Sequence, residues 1–235
     1  MKTYAIIPAR SGSVGLADKN IKLINNKPLL SYSISFAKKL DGINKIICST
    51  DSNKYAEIAL KYGAEVPFLR SKKASSGKAM EEDILKDLRL KFLQNKIDEP
   101  DLIVWLRPTF VFRSKVDVNE CIRVLKENKN FSAARTVIEA ENRLYKINKK
   151  NNLEPSFNDN NKSMVRRQDM ESSFRVYSTD VFRFKDNQFN NNFLGNKIFP
   201  VVSNRICGLD IDDSLDFEIV KNLINFSPNL VNEYL

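Results

Sequence analysis

Short apolar runs alternate with segments of helical periodicity through the first half of the chain, and this alternation restricts the fold more than any other feature. The apolar run at residues 4–7 predicts a β-strand, and a polar loop leads from it to a predicted helix at residues 28–37. The same order recurs with a strand at residues 45–50 and a helix at residues 52–60. The pattern then predicts a weak strand at 65–69, a helix at 81–93, a strand at 102–106 and a helix at 115–127. Strands that alternate with helices predict an α/β fold, Rossmann-like, with a mostly parallel sheet and helices on both faces.

The pattern changes after about residue 131. The asparagine-rich segment 148–162 predicts an exposed hairpin or a mobile loop. A length of 235 residues with 42% hydrophobic content fits a single domain over residues 1–235, in which residues 135–197 are expected to form a small lobe. The elements predicted in this half are strands at 132–138, 144–147, 174–179 and 198–202 and a terminal helix at 215–224.

The chain contains no histidine, which excludes several kinds of catalytic site. A Ser-His-Asp triad, a Cys-His pair and a histidine-containing zinc site all require that residue. The three cysteines, Cys48, Cys121 and Cys207, lack the spacing of metal ligands and are expected to be buried free thiols. Any chemistry must therefore depend on Lys, Arg, Asp, hydroxyl groups, backbone amides or a metal ion.

The formal net charge of +9 raises the possibility of a nucleic-acid partner. The lysines are scattered among asparagines and acidic residues, however, so we expect a solvated surface and a pocket for a small anionic ligand, with no nucleic acid bound. No apolar run reaches the roughly 18 residues that a membrane span needs, and the first apolar run ends at Pro8, too early for a signal peptide. We therefore expect a cytoplasmic protein without a membrane partner.

The loop after the first predicted strand is the most informative segment. In a parallel α/β sheet this junction lies at the carboxyl edge, where ligands bind. Gly12 and Gly15 would let backbone N–H groups approach a phosphate, and Arg10 and Lys19 bracket the loop with positive charge. The loop matches neither the P-loop nor the dinucleotide-binding spacing. It predicts a site for a triphosphate, and an ordinary turn is the alternative.

Several segments, taken in order along the chain, resemble one family. Residues 7–20, with the sequence IPARSGSVGLADKN, resemble the first signature of the CMP-acidic-sugar synthetases, also called the acylneuraminate cytidylyltransferases. Further segments similar to that family are 49–51, 68–70, 106–113, 166–168, 174–175 and 209–217. The resemblance spans nearly the whole chain. It implies transfer of CMP from CTP to an acidic acceptor, typically a nonulosonic-type acid sugar, with release of pyrophosphate, a Mg²⁺ cofactor and a homodimer.

The resemblance also implies roles for individual residues. Asp210 and Asp212 stand two apart, so in an extended segment both carboxylates face one side and could hold Mg²⁺. The alternative is an acidic turn in which Asp213 or Ser214 caps the last helix. With Arg10 and Lys19, the two aspartates form the expected catalytic group. The implied nucleotide-binding residues are Ala9, Arg10, Ser13, Gly15, Lys19, Asn20, Arg70 and Ala79, and the implied acceptor-binding residues are Arg107, Arg167, Gln168, Arg175 and Tyr177.

The sequence departs from the family pattern at several positions. Val14 stands where the family has lysine, Arg107 where it has glutamine, and residues 177–179 replace an Asn-Gly-Ala-like stretch, while residues 75–81 follow the family only loosely. A buried guanidinium needs an anionic partner, so Arg107 favours an acceptor with more negative charge, such as a phosphonate or a phosphorylated small acid. Val14 makes a catalytically silent nucleotide-binding protein a further alternative, which magnesium-dependent CTP consumption would separate from the enzyme.

Overall fold

The computed structural model describes residues 1–13, 15–160, 162, 164–185, 187–189 and 192–235, without the side chain of Arg167. Its strands are β1 (Thr3–Pro8), β2 (Leu23–Ile24), β3 (Lys27–Pro28), β4 (Lys45–Ser49), β5 (Leu102–Leu106), β6 (Ala133–Glu139), β7 (Tyr145–Ile147), β8 (Leu153–Pro155), β9 (Phe174–Arg183) and β10 (Ile198–Val202). Its α-helices are α1 (Leu29–Lys39), α2 (Asn53–Lys61), α3 (Glu81–Gln94), α4 (Lys115–Glu127), α5 (Ser214–Phe226) and α6 (Pro228–Val231).

Six strands form the central sheet, in the order β10-β6-β9-β5-β1-β4. β1 pairs in parallel with β4 and β5, and β10 pairs in parallel with β6. Within the described residues, β9 is the strand of this sheet that runs antiparallel to both of its neighbours, β5 and β6. The predicted mostly parallel α/β sheet is therefore confirmed.

The strands are buried on both faces because helices cover each side of the sheet. In β5, Leu102, Val104 and Leu106 belong to one core cluster with residues of α1, α2 and α4. Ile103 and Trp105, which alternate with them, belong to a second cluster with residues of α3. A strand buried on both faces reads as a continuous apolar run, which is the pattern that predicted β5. The three cysteines are free and buried, as expected, and among the described residues no helix is long and apolar enough to cross a bilayer.

Two predictions about the elements need correction. The weak strand at 65–69 does not form, and Glu65 makes only an isolated bridge to Ile47, because Pro67 has no N–H group to continue the pairing. The strand predicted at 174–179 continues to Arg183. Within residues 135–197, most of β6 and the whole of β9 belong to the central sheet, whereas the hairpin of β7 and β8 stands outside it, and the small lobe itself stays a prediction.

Candidate active site

A cleft of about 510 Å³ opens at the carboxyl ends of β1 and β5. This is the edge at which parallel α/β sheets bind ligands, because the loops that follow the strands converge there. The cleft is lined by Pro8, Arg10, Ser13, Gly15, Lys19, Asn20, Arg70, Ala74, Ser76, Ala79, Glu81, Ile84, Trp105, Arg107, Pro108, Thr109 and Asp212.

The loop that follows β1 is held in place from both sides. The Asp51 carboxylate accepts hydrogen bonds from the backbone N–H of Ser11 (2.8 Å) and from its hydroxyl (2.9 Å). Asn20 Nδ2 donates to the Arg10 carbonyl oxygen at 3.0 Å, and Arg10 Nη1 donates to the Ser76 carbonyl oxygen at 2.9 Å. Both ends of the loop are therefore fixed, and its two basic side chains line the cleft.

The first loop contacts the last acidic segment of the chain. Lys19 Nζ donates to the carbonyl oxygen of Ile211 at 2.6 Å and lies 3.6 Å from Oδ1 of Asp212. Gly15 is the point of closest approach, since a Cβ atom at this position would lie 2.7 Å from the carbonyl oxygen of Asp212. Only glycine allows two backbone segments to come this close. The structure thus brings the two predicted halves of the site together.

Asp210 is half-buried beside the cleft and carries a polar atom without a partner. The segment is anchored by a bridge between Phe110 and Asp210 and by a hydrogen bond of 3.1 Å from the Ile211 N–H to the Thr109 carbonyl oxygen. Oδ1 of Asp210 is buried and accepts no hydrogen bond. Burial, together with the nearby carboxylate of Asp212, raises the pKa of Asp210 above its ordinary value. A buried carboxylate oxygen that lacks a donor fits a cation ligand.

The helix-capping alternative holds for a neighbouring residue. Oδ1 of Asp213 accepts hydrogen bonds from the N–H groups of Leu215 (2.8 Å) and Asp216 (3.0 Å), which makes Asp213 the N-cap of α5. The side chain of Asp212 remains 79% exposed beside Lys19. Among the described residues no group of three or more His, Cys, Asp or Glu side chains converges on one point. A cation at Asp210 and Asp212 would therefore complete its coordination with oxygens from the substrates or water.

Arg70 lies deep in the cleft, where β4 ends. Its Nε donates to Ser49 Oγ at 3.0 Å and its Nη2 to the Ser49 carbonyl oxygen at 2.5 Å. Burial lowers the pKa of Arg70 to about 10, so the guanidinium stays charged at neutral pH. Ala79 lines the same cleft. These positions agree with the predicted nucleotide site, and the roles themselves stay predictions.

Arg107 has its anionic partners inside the protein. Its Nη1 donates to Oδ2 of the fully buried Asp180 at 2.9 Å, and its Nη2 donates to Oε1 of Glu81 at 3.2 Å. Arg135 donates to the other oxygen of Asp180 at 2.8 Å. Burial alone would lower the pKa of Arg107, but the two carboxylates outweigh it and the pKa is raised. The expectation of an extra negative charge on the acceptor assumed that Arg107 has no anionic partner within the protein. That premise is wrong.

Three of the predicted site residues, Ala9, Tyr177 and Arg175, do not line the cleft. Ala9 is fully buried, and its N–H donates to the Ser49 carbonyl oxygen at 2.9 Å. Tyr177 is buried against Phe110, with ring centroids 5.8 Å apart, because β9 turns this side chain into the core. Arg175 donates to the Gly208 carbonyl oxygen and lines a second cavity of about 1160 Å³ between β9 and the hairpin of β7 and β8.

The remaining predicted acceptor residues lie in a segment outside the central sheet. Gln168 is exposed in the short 3-10 helix Arg167–Asp169, and neither cavity includes it in its lining. The side chain of Arg167 and the whole of Val14 lie outside the described residues. The structure therefore leaves the acceptor assignments for Arg167 and Gln168, and the effect of Val14, as predictions.

Sequence reasoning missed the carboxylates that surround Arg107. Glu81 is the first residue of α3, and Asp180 lies within β9 opposite Arg135 of β6. The available signal was a single charged residue inside each of two apolar strands, which indicates a buried ion pair more often than an exposed face. Trp105, the single tryptophan of the sequence, was also missed; the residue lines the cleft, and its buried Nε1 has no hydrogen-bond partner.

Comparisons with known sequences agree with this geometry. The family model described as "Cytidylyltransferase" matches residues 4–200. The chain is 29% identical over 228 residues to post-translational flagellin modification protein B of Campylobacter coli, covering 93% of each chain. It is 27% identical over 230 residues to pseudaminic acid cytidylyltransferase of Campylobacter jejuni, covering 96% of this chain and 98% of that one. A third relative, CMP-N,N'-diacetyllegionaminic acid synthase of Legionella pneumophila, is 35% identical over 126 residues, and the match spans about half of each chain (54%).

Comparisons with solved structures concern the fold. A CMP:2-keto-3-deoxy-manno-octonic acid synthetase complexed with CTP superposes with a TM-score of 0.68 at 14% identity, covering 95% of this chain and 98% of that one. The 4-diphosphocytidyl-2C-methyl-D-erythritol synthase of Anaerococcus prevotii superposes with a TM-score of 0.63 at 15% identity and the same coverage. The chain thus shares the overall fold of these two proteins.

Proposed function

Because the chain belongs to the cytidylyltransferase family, we propose that it transfers CMP from CTP to a nonulosonic-type acid sugar and releases pyrophosphate. The observation that carries this proposal is the meeting of Lys19 with Asp212 in one cleft, which also contains Arg10 and Arg70. Relatives that align over more than nine-tenths of both chains include a pseudaminic acid cytidylyltransferase. The relatives are named for sugar acids, among them pseudaminic acid and N,N'-diacetyllegionaminic acid, and these names define the proposed class of acceptor.

The chemistry needs positioning and charge neutralisation more than a proton-transfer residue. A hydroxyl oxygen of the acceptor attacks the α-phosphorus of CTP and releases its proton to water. The bond to the leaving pyrophosphate breaks, and negative charge accumulates on the phosphate oxygens. Arg10 and Lys19, which line the cleft, would neutralise that charge. Such a reaction is compatible with a chain that has no histidine.

A magnesium ion fits the carboxylates at the end of the cleft. Asp210 and Asp212 would hold it, and the buried Oδ1 of Asp210, which has no hydrogen-bond donor, is the atom best suited to do so. When bound, the ion would draw the phosphate and acceptor oxygens together and reduce their repulsion. Lys19, next to Asp212, would bind the adjacent phosphate oxygen.

The alternatives are weaker than this reading. An acceptor with a phosphonate or phosphate group was favoured by the positive charge of Arg107, but that charge is balanced by Asp180 and Glu81. A catalytically silent protein was favoured by Val14, yet Arg10, Lys19 and Asp212 line the cleft and Asp210 lies two residues from Asp212. Neither alternative is needed to explain the described residues.

We also propose that the protein is a homodimer. The hairpin of β7 and β8 stands outside the central sheet and exposes Ile147 (71%) and Leu153 (68%), which pair across the two strands. Nearby, Phe174 and Val176 at the start of β9 are also half-exposed. Clustered apolar side chains at one end of a molecule are typical of a subunit interface.

The decisive experiment measures pyrophosphate release from CTP with a panel of acceptors. The panel contains pseudaminate, a legionaminate, N-acetylneuraminate, 3-deoxy-manno-octulosonate and small phosphonates, each assayed with Mg²⁺ and with a chelator. We expect release that depends on Mg²⁺ and on CTP, highest with one of the nonulosonic acids. Preference for a phosphonate would replace the acceptor class, and absence of CTP consumption with every acceptor would contradict an enzymatic function.

A further inference from the structure

Four charged side chains form one connected group at the wall of the cleft. Arg107 contacts Asp180 and Glu81, and Asp180 also contacts Arg135, with distances between 2.8 and 3.2 Å. Two guanidinium groups and two carboxylates give the group no net charge. A charged acceptor that enters beside Arg107 must therefore compete with a carboxylate that the protein already supplies.

The contact between Nη1 of Arg107 and Asp180 is permanent. Asp180 is fully buried, and each of its oxygens accepts a hydrogen bond from a different arginine. Removing either partner would leave a charge in the core without compensation, which is costly. The backbone at this point is fixed as well, because Arg113 donates a hydrogen bond to the carbonyl oxygen of Arg107. Asp180 and Arg135 thus act as positioning residues that set the orientation of Arg107.

The contact between Nη2 of Arg107 and Glu81 can be exchanged for a contact with another anion. The Glu81 side chain lines the cleft and is 33% exposed, and its contact to Arg107 is the longest of the group at 3.2 Å. Glu81 is also the first residue of α3, where the helix dipole stabilises negative charge even without a paired cation. Releasing Arg107 therefore costs Glu81 much less than it would cost Asp180.

We propose that Glu81 is a specificity-determining residue that accepts the hydrogen bond from Nη2 of Arg107 until the carboxylate of the acidic acceptor replaces it. This inference rests on the proposed function, because it takes the acceptor to be a sugar acid. The exchange sets a threshold: an anion that places a planar carboxylate on Arg107 displaces Glu81, whereas a neutral sugar does not. Glu81 thus lowers the affinity for acceptors that bind through Arg107, so that only an anion able to form the paired contact displaces it, and it leaves the binding of neutral sugars unchanged.

The test is a binding titration that requires no turnover. Trp105 is the single tryptophan of the sequence and lines the same cleft, so its fluorescence reports occupancy. The probes are N-acetylneuraminate, its uncharged methyl ester and CTP, each added to the wild-type protein and to the Glu81→Gln variant. Glu82→Gln is the matched control, since Glu82 carries the same charge in the same first turn of α3 and does not line the cleft. Arg107→Gln and the double variant Glu81→Gln/Arg107→Gln complete a cycle.

Glu81→Gln is expected to lower the Kd of N-acetylneuraminate about fivefold, in the range of the net contribution of one ordinary hydrogen bond. The Kd values of the methyl ester and of CTP should stay within twofold of wild type, and Glu82→Gln should change no Kd. In the Arg107→Gln background, Glu81→Gln should not lower the Kd of N-acetylneuraminate. Equal tightening of CTP, an effect that persists without Arg107, an unchanged Kd or no binding of the sugar acid would each overturn the proposal. Pyrophosphate release without a Glu81 effect overturns this inference alone, whereas the expected titration without any release overturns the proposed function alone.

Discussion

The ammonium nitrogen of Lys19 lies 3.6 Å from Oδ1 of Asp212, although the two residues come from opposite ends of the chain. The same nitrogen donates to the Ile211 carbonyl oxygen at 2.6 Å, so the contact includes the backbone and does not depend on the exposed carboxylate alone. The position of the predicted phosphate-binding loop is therefore set by the segment that carries the predicted metal ligands. Changes on either side of this contact should affect both nucleotide and metal binding.

Gly15 is where that relationship is most sensitive to a single methyl group. A Cβ atom would lie 2.7 Å from the carbonyl oxygen of Asp212, and neither atom can rotate away because the backbone fixes both positions. We expect Gly15→Ala to push the two segments apart and to lower kcat/KM for CTP about tenfold or more, equal to at least 1.4 kcal/mol. Steady-state kinetics with Gly77→Ala as the control checks this, because a Cβ at Gly77 meets no atom within 4 Å. Equal kinetics for both variants would contradict the close approach.

Lys19→Met is expected to act on the reaction more than on folding. The variant keeps most of the side-chain volume and loses the charge that faces the triphosphate, so kcat should fall about 100-fold, as expected for one charged group that stabilises the transition state. The melting temperature should change little. Lys27→Met, at an exposed lysine of β3, serves as the control. A loss of CTP affinity with unchanged kcat would instead assign Lys19 to ground-state binding.

The elements of the fold were predictable where the information is local. β5 and α4 have the predicted bounds, because a continuous apolar run and an apolar stripe are properties of neighbouring residues. β9 was predicted too short because Asp180 looks like a surface residue in the sequence. It becomes a core residue only when the strand register places it opposite Arg135, some forty positions away.

The candidate site also has a part that the sequence predicts and a part that it does not. The motifs of the first loop and of Asp210 and Asp212 could be identified from the resemblance, and the structure brings them together. The charge balance around Arg107 could not, since it depends on the pairing of β9 with β5 and β6 and on where α3 begins. From the sequence alone, the guanidinium of Arg107 therefore predicts an anionic group on the acceptor. In the structure its partners are Asp180 and Glu81.

In the absence of metal, we expect the protein with aspartate at position 210 to be less stable than the variant with asparagine there. Burial raises its pKa, so the folded protein binds the proton more tightly than the unfolded chain, and the ionised form at neutral pH opposes folding. This unfavourable contribution grows as pH rises from the ordinary aspartate pKa through the raised one. We expect Asp210→Asn to raise the melting temperature in a chelating buffer at pH 7 by about 2–4 °C, the shift that 1 kcal/mol gives a protein of this size.

The same variant should lose the response to magnesium. Calorimetric scans of wild type with CTP should show a higher melting temperature when Mg²⁺ is added, because a ligand that binds only the folded state stabilises it. Asp210→Asn should show little of this increase and little pyrophosphate release. Asp216→Asn is an unsuitable comparison, since Asp216 caps backbone N–H groups, so Glu218→Gln on the exposed face of α5 is the control. A variant that is both less stable and still responsive to magnesium would contradict the assignment.

The hairpin of β7 and β8 should determine the assembly state. Replacing Ile147 and Leu153 together by glutamate places two charges on adjacent strands of the exposed hairpin without touching the core. We expect sedimentation velocity to show a monomer for this variant and a dimer for wild type at micromolar concentration. Leu93→Glu, at a residue of α3 that is 76% exposed, should leave the dimer intact. A wild-type monomer, or a dimer that survives both charges, would contradict this interface.

Asp180 should contribute more to stability than the exposed ion pairs do. Asp180→Asn keeps the shape of the side chain but leaves Arg107 and Arg135 partly buried without a full counter-charge, which costs about 3 kcal/mol for a buried pair. Thermal unfolding should therefore begin well below the wild-type temperature. Asp98→Asn removes the fully exposed pair with Lys2 and should change the melting temperature little, because water and salt screen that contact. Since Arg107 is the shared partner, the destabilisation by Asp180→Asn should be smaller in an Arg107→Gln background, and strictly additive effects would show that the two side chains are not coupled.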